Sequence, residues 1–306
     1  MPDAQRSVDD GGACCRYHQV RLDDGRVLEV LTAGDPAGLA VVFHHGTPFA
    51  AVPYQPMLDT VQKVGVHLVG WSRPGYGTST RQRDRTVAAV ADDARHVLDS
   101  LGHEQFATVG WSGGGPHALA TAAGLPGRCA GAATIGGVAP YRAEGLDWLA
   151  GMAPENVAEF TAAEGPEDAL TSFLEQQAGS LRTVSAPEVA QALGGLVSDV
   201  DRQALTGTFA DYMARALRSA LAPGVGGWYD DDKAFVSDWG FDLSSLACRV
   251  AVWQGGEDRM VPFAHGSWLV DHLPRVEAHL LPEEGHLSLV VTGFERILED
   301  LVARTA

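Results

Sequence analysis

The sequence predicts an α/β chain: a mostly parallel central sheet with helices on both faces, plus a helical cap inserted late in the chain. Three observations carry this prediction. Short, β-branched apolar runs alternate with amphipathic helical stretches through the first part of the chain. One of those runs turns directly into an alanine-rich helix through Gly110-Trp111-Ser112-Gly113-Gly114. The alternation then stops: from about Ala139 to Ser237 the text is helical, and strand text resumes at Arg249.

Residues 1–13 read as a flexible N-terminal tail, polar and acidic in composition. Tyr17 to Leu22 and Arg26 to Leu31 flank Asp23-Asp24-Gly25, which is a hairpin signal. Leu39 to Phe43 is apolar without alternation, as in a strand buried on both faces, and it runs into His44-His45-Gly46-Thr47-Pro48. A helix is expected over Gln55 to Val64 and a strand over Val66 to Val69. The loop Trp71-Ser72-Arg73-Pro74-Gly75-Tyr76-Gly77 follows. Val87, Val90, Ala91, Ala94, Val97, Leu98 and Leu101 recur at helical spacing. Phe106 to Val109 is the strand before Ser112, and His117 to Ala123 is the helix after it, ending near Gly124 and Pro126. Cys129 to Ile135 gives a further strand.

In the helical block, Pro154, Pro166 and Pro187 stand where first-turn prolines belong, and Leu205, Phe209, Tyr212, Met213, Ala216 and Leu217 line one helix face. A strand at Arg249 to Trp253, a helix from about Pro262 to His272, a strand at Val276 to Leu281 and a closing helix over Phe294 to Val302 complete the chain. The expected division is a core of residues 14–138 and 238–306 with a helical cap of residues 139–237.

A formal net charge of -17, from 22 basic and 39 acidic side chains, argues against nucleic acid and anionic membrane surfaces as partners. No apolar run approaches a membrane span, and Met1 to Gly12 carries no leader pattern. The four cysteines form no C-x-x-C pair, and Cys14-Cys15 is poorly suited to a disulfide. A reducing, cytoplasmic setting and a small-molecule substrate are the expectation.

The chemistry is expected at Ser112. A strand that turns sharply into a helix needs residues without a Cβ on either side of the corner, and Gly110, Gly113 and Gly114 supply them. Ser72, in the similar text Gly70-Trp71-Ser72, is followed by Arg73-Pro74, which bars a continuing helix. A serine nucleophile needs a base, and the base needs an orienting acid. Asp258 and His286 both follow strands and so fall, with Ser112, at the carboxyl edge of a parallel sheet, in the chain order Ser, Asp, His. Glu257 competes with Asp258 for the acid. The backbone amides of Gly113 and Thr47 are the expected oxyanion donors. His44 and His45 resemble a metal pair, but neighbouring residues after a strand point to opposite sides, so neither a metal nor another cofactor is expected.

These segments together resemble the α/β-hydrolase fold family, in its serine-nucleophile branch with a helical cap. They are His45-Gly46-Thr47-Pro48, Trp71 to Gly77, Gly110 to Gly114, and the Asp258 and His286 loops, in matching order from about residue 17 to 303. The resemblance implies Ser112 as nucleophile, His286 as base, Asp258 as orienting acid, and Thr47 and Gly113 as oxyanion donors. It also implies a structural role for the Arg73-Pro74-Gly75 loop, where the family usually has Asp at the position of Ser72. The expected activity is hydrolysis of a small, mainly hydrophobic ester or lactone through an acyl-enzyme. A carbon–carbon bond or amide hydrolase, an aminopeptidase, and a non-catalytic ligand-binding protein on the same fold are the alternatives. Trp111, Trp148, Phe160, Phe209 and Tyr212 are expected to line the substrate pocket. Phe173 and Met213 are expected to pack cap helices together. The cap carries no Lys or Arg cluster, so neutral substrates are expected to be preferred over carboxylate-bearing ones.

Overall fold

The computed structural model describes residues 6–8 and 15–303. Its nine strands form one sheet: β1 (Arg6–Val8), β2 (Cys15–Arg21), β3 (Val27–Gly34), β4 (Ala40–His44), β5 (His67–Trp71), β6 (Phe106–Trp111), β7 (Cys129–Ile135), β8 (Arg249–Gly255) and β9 (Val276–Leu281). The order across the sheet is β1-β2-β3-β5-β4-β6-β7-β8-β9. The pairs from β1 to β5 are antiparallel, and those from β5 to β9 are parallel. β4, β5 and β6 are buried along their whole length, which is why they read as unbroken apolar runs.

Part of the expected N-terminal tail is ordered instead: Arg6–Val8 pairs antiparallel with Cys15–Tyr17. The polar text that suggested a tail suits an edge strand, which has water on its outer side. Residues 1–5 and 9–13 of that segment lie outside the described residues.

Five core helices connect or follow the strands: α1 (Gln55–Val64), α2 (Val90–Ser100) and α3 (Gly114–Gly124) before β7, then, numbered in chain order after the inserted helices, α10 (Phe263–His272) and α11 (Ser288–Ala303). Pro56 in the first turn and left-handed Gly65 after the last turn bound α1 where the sequence places it. The expected helix from Val87 to Leu101 begins with a 3₁₀ turn at Val87–Ala89 before α2.

Between β7 and β8 lie six helices and no strand: α4 (Pro154–Glu164), α5 (Glu167–Leu181), α6 (Val189–Leu193), α7 (Asp199–Ala204), α8 (Gly207–Leu221) and α9 (Gly226–Val236). α8 buries Phe209, Tyr212, Met213, Ala216 and Leu217 on one face, as the spacing requires. No described helix is long and apolar enough to cross a membrane.

Candidate active site

Ser112 sits at the corner between β6 and α3 with φ of 56°, in the left-handed region that a residue with a side chain rarely adopts. Its amide donates to the Ile135 carbonyl at 2.8 Å, and its carbonyl accepts from the Gly115 amide at 2.8 Å. The glycines around it are needed for space. A Cβ at Gly110 would overlap the Gly114 carbonyl, one at Gly114 would overlap the His44 carbonyl, and one at Gly113 would lie 2.5 Å from Thr47 Oγ1. Ser72 has the opposite fate. It is fully buried, donates to Glu29 Oε2 at 2.8 Å and accepts from the Ala51 amide at 3.0 Å, so its hydroxyl is part of the scaffold.

His286 and Asp258 come together from the ends of β9 and β8. His286 Nδ1 lies 2.7 Å from Asp258 Oδ2, and both residues are buried. The remaining valences of Asp258 are filled: Oδ1 accepts from the Met260 and Val261 amides at 2.9 and 2.8 Å, and Oδ2 from Gln254 Nε2 at 3.2 Å. Glu257 is exposed, which separates the two acids. Burial alone would push the His286 imidazole down, but the Asp258 carboxylate beside it outweighs that and raises its pKa. An imidazole held by Nδ1 in this way leaves Nε2 for proton transfer. Gly136, at φ of 54°, passes beneath the pair, where a Cβ would come 2.9 Å from His286 Nδ1.

Ser112 and His286 line one cavity of about 120 Å³, together with Thr47, Gly113 and Trp111. Among the described residues, the amides of Thr47 and Gly113 have no protein acceptor. The Thr47 side chain is fixed by donating to Asp231 Oδ2 at 2.7 Å and accepting from Arg73 Nη2 at 2.9 Å. His44 and His45 serve the scaffold. His44 Nε2 lies 3.1 Å from Thr121 Oγ1, and His45 Nδ1 lies 2.8 Å from the Gly46 carbonyl while Nε2 accepts from the Arg73 amide at 3.3 Å. Burial pushes His44 down to about 3 and His45 well below its usual value, so both are neutral.

Of the expected pocket residues, Trp111 and Phe160 line the cavity, and Trp148, Phe209 and Tyr212 do not. Trp148 donates its indole N–H to the Ala139 carbonyl at 2.7 Å and packs against Phe160 and His265, a buried partner that anchors it in the scaffold. Phe209 and Tyr212 instead stack around Tyr54. Phe173 and Met213, expected to pack helices together, line the cavity, as do Trp228 and Phe235. Helical spacing marks which face is apolar, but it does not say whether that face meets another helix or a cavity.

Three polar features escaped the sequence reading. Asp201 of α7 is fully buried and accepts from the amides of His286, Leu287 and Ser288 at 3.2, 2.7 and 2.9 Å. It thus caps α11 and holds the His286 loop from the inserted helices. Asp231 of α9 binds Arg73 at 2.6 Å, Arg85 at 2.7 Å and the Tyr76 hydroxyl at 2.9 Å. Burial opposes its charge, yet the two arginines hold its pKa well below the usual range. Finally, Glu159 and Asp232 face the same cavity as Ser112. Burial pushes Glu159 up to about 7, and burial and then the Glu159 carboxylate push Asp232 well above the ordinary value. The one visible signal was the run of three aspartates, Asp230-Asp231-Asp232, in one helix between Trp228 and Phe235.

Comparison with known proteins agrees with this architecture. A family profile of the α/β hydrolase fold matches residues 40–291. Epoxide hydrolase B of Mycobacterium tuberculosis is 32% identical over 120 residues, a match spanning 38% of this chain and only about a third (33%) of that enzyme. A bromoperoxidase from Bacillus anthracis superposes with a TM-score of 0.68 at 19% identity, covering 94% of this chain and 99% of that one. An esterase of Rhodococcus sp. ECU1013 gives 0.63 at 19% identity, covering 95% and 99%. Matched over most of its length by the family profile and along nearly all of it in fold, the chain belongs to the α/β hydrolase family.

Proposed function

We propose that the protein is a serine hydrolase that cleaves a small, mainly hydrophobic ester or lactone through an acyl-enzyme on Ser112. The observation that carries this reading is that a left-handed Ser112 at the strand–helix corner lines one cavity with His286, which the buried Asp258 holds from behind. His286 takes the Ser112 proton as the oxygen attacks the acyl carbon, and returns it to the leaving alcohol. Asp258 fixes the imidazole tautomer and stabilises its charged form. The Thr47 and Gly113 amides receive the oxyanion. Water then deacylates Ser112 with His286 again as base. Residues 139–237 act as a cap domain that closes the cavity with Phe160, Phe173, Met213 and Trp228, excluding bulk water.

The comparisons support a hydrolase of this family and leave the bond type open, so the test is a substrate panel. Purified protein is assayed on acyl esters, lactones, thioesters, amides and peptides, with Ser112→Ala as the blank. Ester or lactone turnover that disappears in Ser112→Ala supports the reading. Turnover confined to amides or peptides would replace it with the aminopeptidase reading.

A further inference from the structure

Three consecutive aspartates of α9 are buried, and they differ in what answers them. Asp230 is paired with Arg81 at 2.7 Å. Asp231 is paired with Arg73 and Arg85. Asp232 is fully buried, and no N–H group among the described residues reaches either of its oxygens. Its polar neighbour is a second carboxyl group, Glu159 of α4, which accepts from the Trp228 indole N–H at 2.7 Å. Both carboxyls line the cavity that holds Ser112, and so does Glu155, whose Oε2 is buried without a partner. No lysine or arginine lines that cavity.

Burying a second carboxyl group beside Glu159 with no N–H donor of its own is costly, and a protein that needed only packing there would be better served by an apolar residue. Asp232 and Glu159 both line the space a substrate would occupy. We propose that Asp232 and Glu159 form the recognition site for an ammonium group, so that the substrate is an ester or amide bearing a primary or secondary amine.

The apolar walls suit this arrangement. Phe160, Phe173, Met213 and Phe235 line the same cavity and would enclose the hydrocarbon joining the amine to the reacting carbonyl. Arg85, the cation acting on Asp232, is engaged by Asp231 and contributes no donor to the cavity. In the empty site the two acids share a proton. A bound ammonium donates its own N–H groups to them, and the shared proton leaves to solvent.

The inference rests on the proposed chemistry at Ser112 for the reacting bond, and the test separates the two. Methyl esters of ω-amino acids, from glycine through δ-aminovaleric acid, are each compared with the ester in which a methyl replaces the ammonium. Monomethyl adipate serves as the anionic control. Acid release is followed by pH-stat for the wild type, Asp232→Asn and Glu159→Gln. Calorimetric titration of Ser112→Ala with the same esters measures binding alone.

The expected result is a preference of about tenfold or more in kcat/KM for at least one amino ester over its methyl partner, the scale of a charge-assisted hydrogen bond. That preference should collapse in both variants. It is a ratio within each protein, so a general loss of rate does not enter it. Equal turnover of amino and methyl esters by the wild type would overturn the proposal, and so would a preference that survives both substitutions. If no ester is hydrolysed, the hydrolase reading fails and calorimetry decides: tighter binding of an amino ester upholds the ammonium site, and equal or absent binding sinks it.

Discussion

At Asp258 the two carboxylate oxygens are divided between tasks. One is spent on the Met260 and Val261 amides, and the other faces His286. Asp258→Asn preserves the size of the group but disfavours the imidazole tautomer that leaves Nε2 free. The expected loss is on the order of 10⁴ in kcat, the scale known for the orienting acid of serine proteases. Glu257→Gln, at an exposed position, should leave kcat within about twofold. Comparable losses from both would remove the special role of Asp258. The same residue sets the pH response. Its carboxylate raises the His286 pKa, and the base works only when neutral, so kcat/KM should rise with pH through a midpoint above the ordinary histidine value of 6.5. A pH–rate profile checks this. A midpoint below 6.5 would mean that burial, and not Asp258, dominates at the base.

The turn at Ser112, α7 and α11 make the argument at the scale of elements. The Ser112 corner was legible in the sequence because its requirement is local: a strand, a helix and glycines where any Cβ would strike backbone. The strands and the loops that carry Asp258 and His286 were legible for the same reason, since apolar runs and turn residues announce strand ends. The clamp on the His286 loop was not. Asp201 meets the His286 amide across 85 residues of chain, and nothing near Asp201 marks it as different from any helix-entry aspartate. Gly285 is the complementary feature, since a side chain there would strike the Asp201 carboxylate. Asp201→Ala leaves buried amides of the α11 N-terminus without an acceptor, which costs about 1–3 kcal/mol of stability. It should also lower kcat by about tenfold with little change in KM, because the base is displaced and the cavity wall is not. Asp201→Asn should recover part of both. A fall in stability with kcat unchanged would show that Asp201 only caps the helix.

Over the whole molecule, the inserted helices are tied to the core through charge as well as apolar packing. Asp231 of α9 joins Arg73 and Arg85 of the core, and through the Thr47 hydroxyl it reaches the loop that follows β4. The sequence reading found the arginine loop but not its partner, because the two lie 158 residues apart. It expected neutral substrates to be preferred over carboxylate-bearing ones, but it did not locate the three acids, Glu155, Glu159 and Asp232, that line the cavity. Asp231→Asn leaves two buried guanidinium groups underbalanced and should cost about 3–5 kcal/mol, measured by denaturant unfolding. A cost under about 1 kcal/mol would mean the insertion is held by its apolar contacts alone.

All of these relations presuppose an activated serine at the strand–helix corner. The most direct test of that claim is active-site labelling with a fluorophosphonate, read by mass spectrometry of the digested protein. A single adduct is expected on the peptide carrying Ser112, with labelling unchanged in Ser72→Ala, absent in Ser112→Ala and strongly slowed in His286→Ala. No adduct on the wild type, or an adduct that persists in Ser112→Ala, would contradict the account.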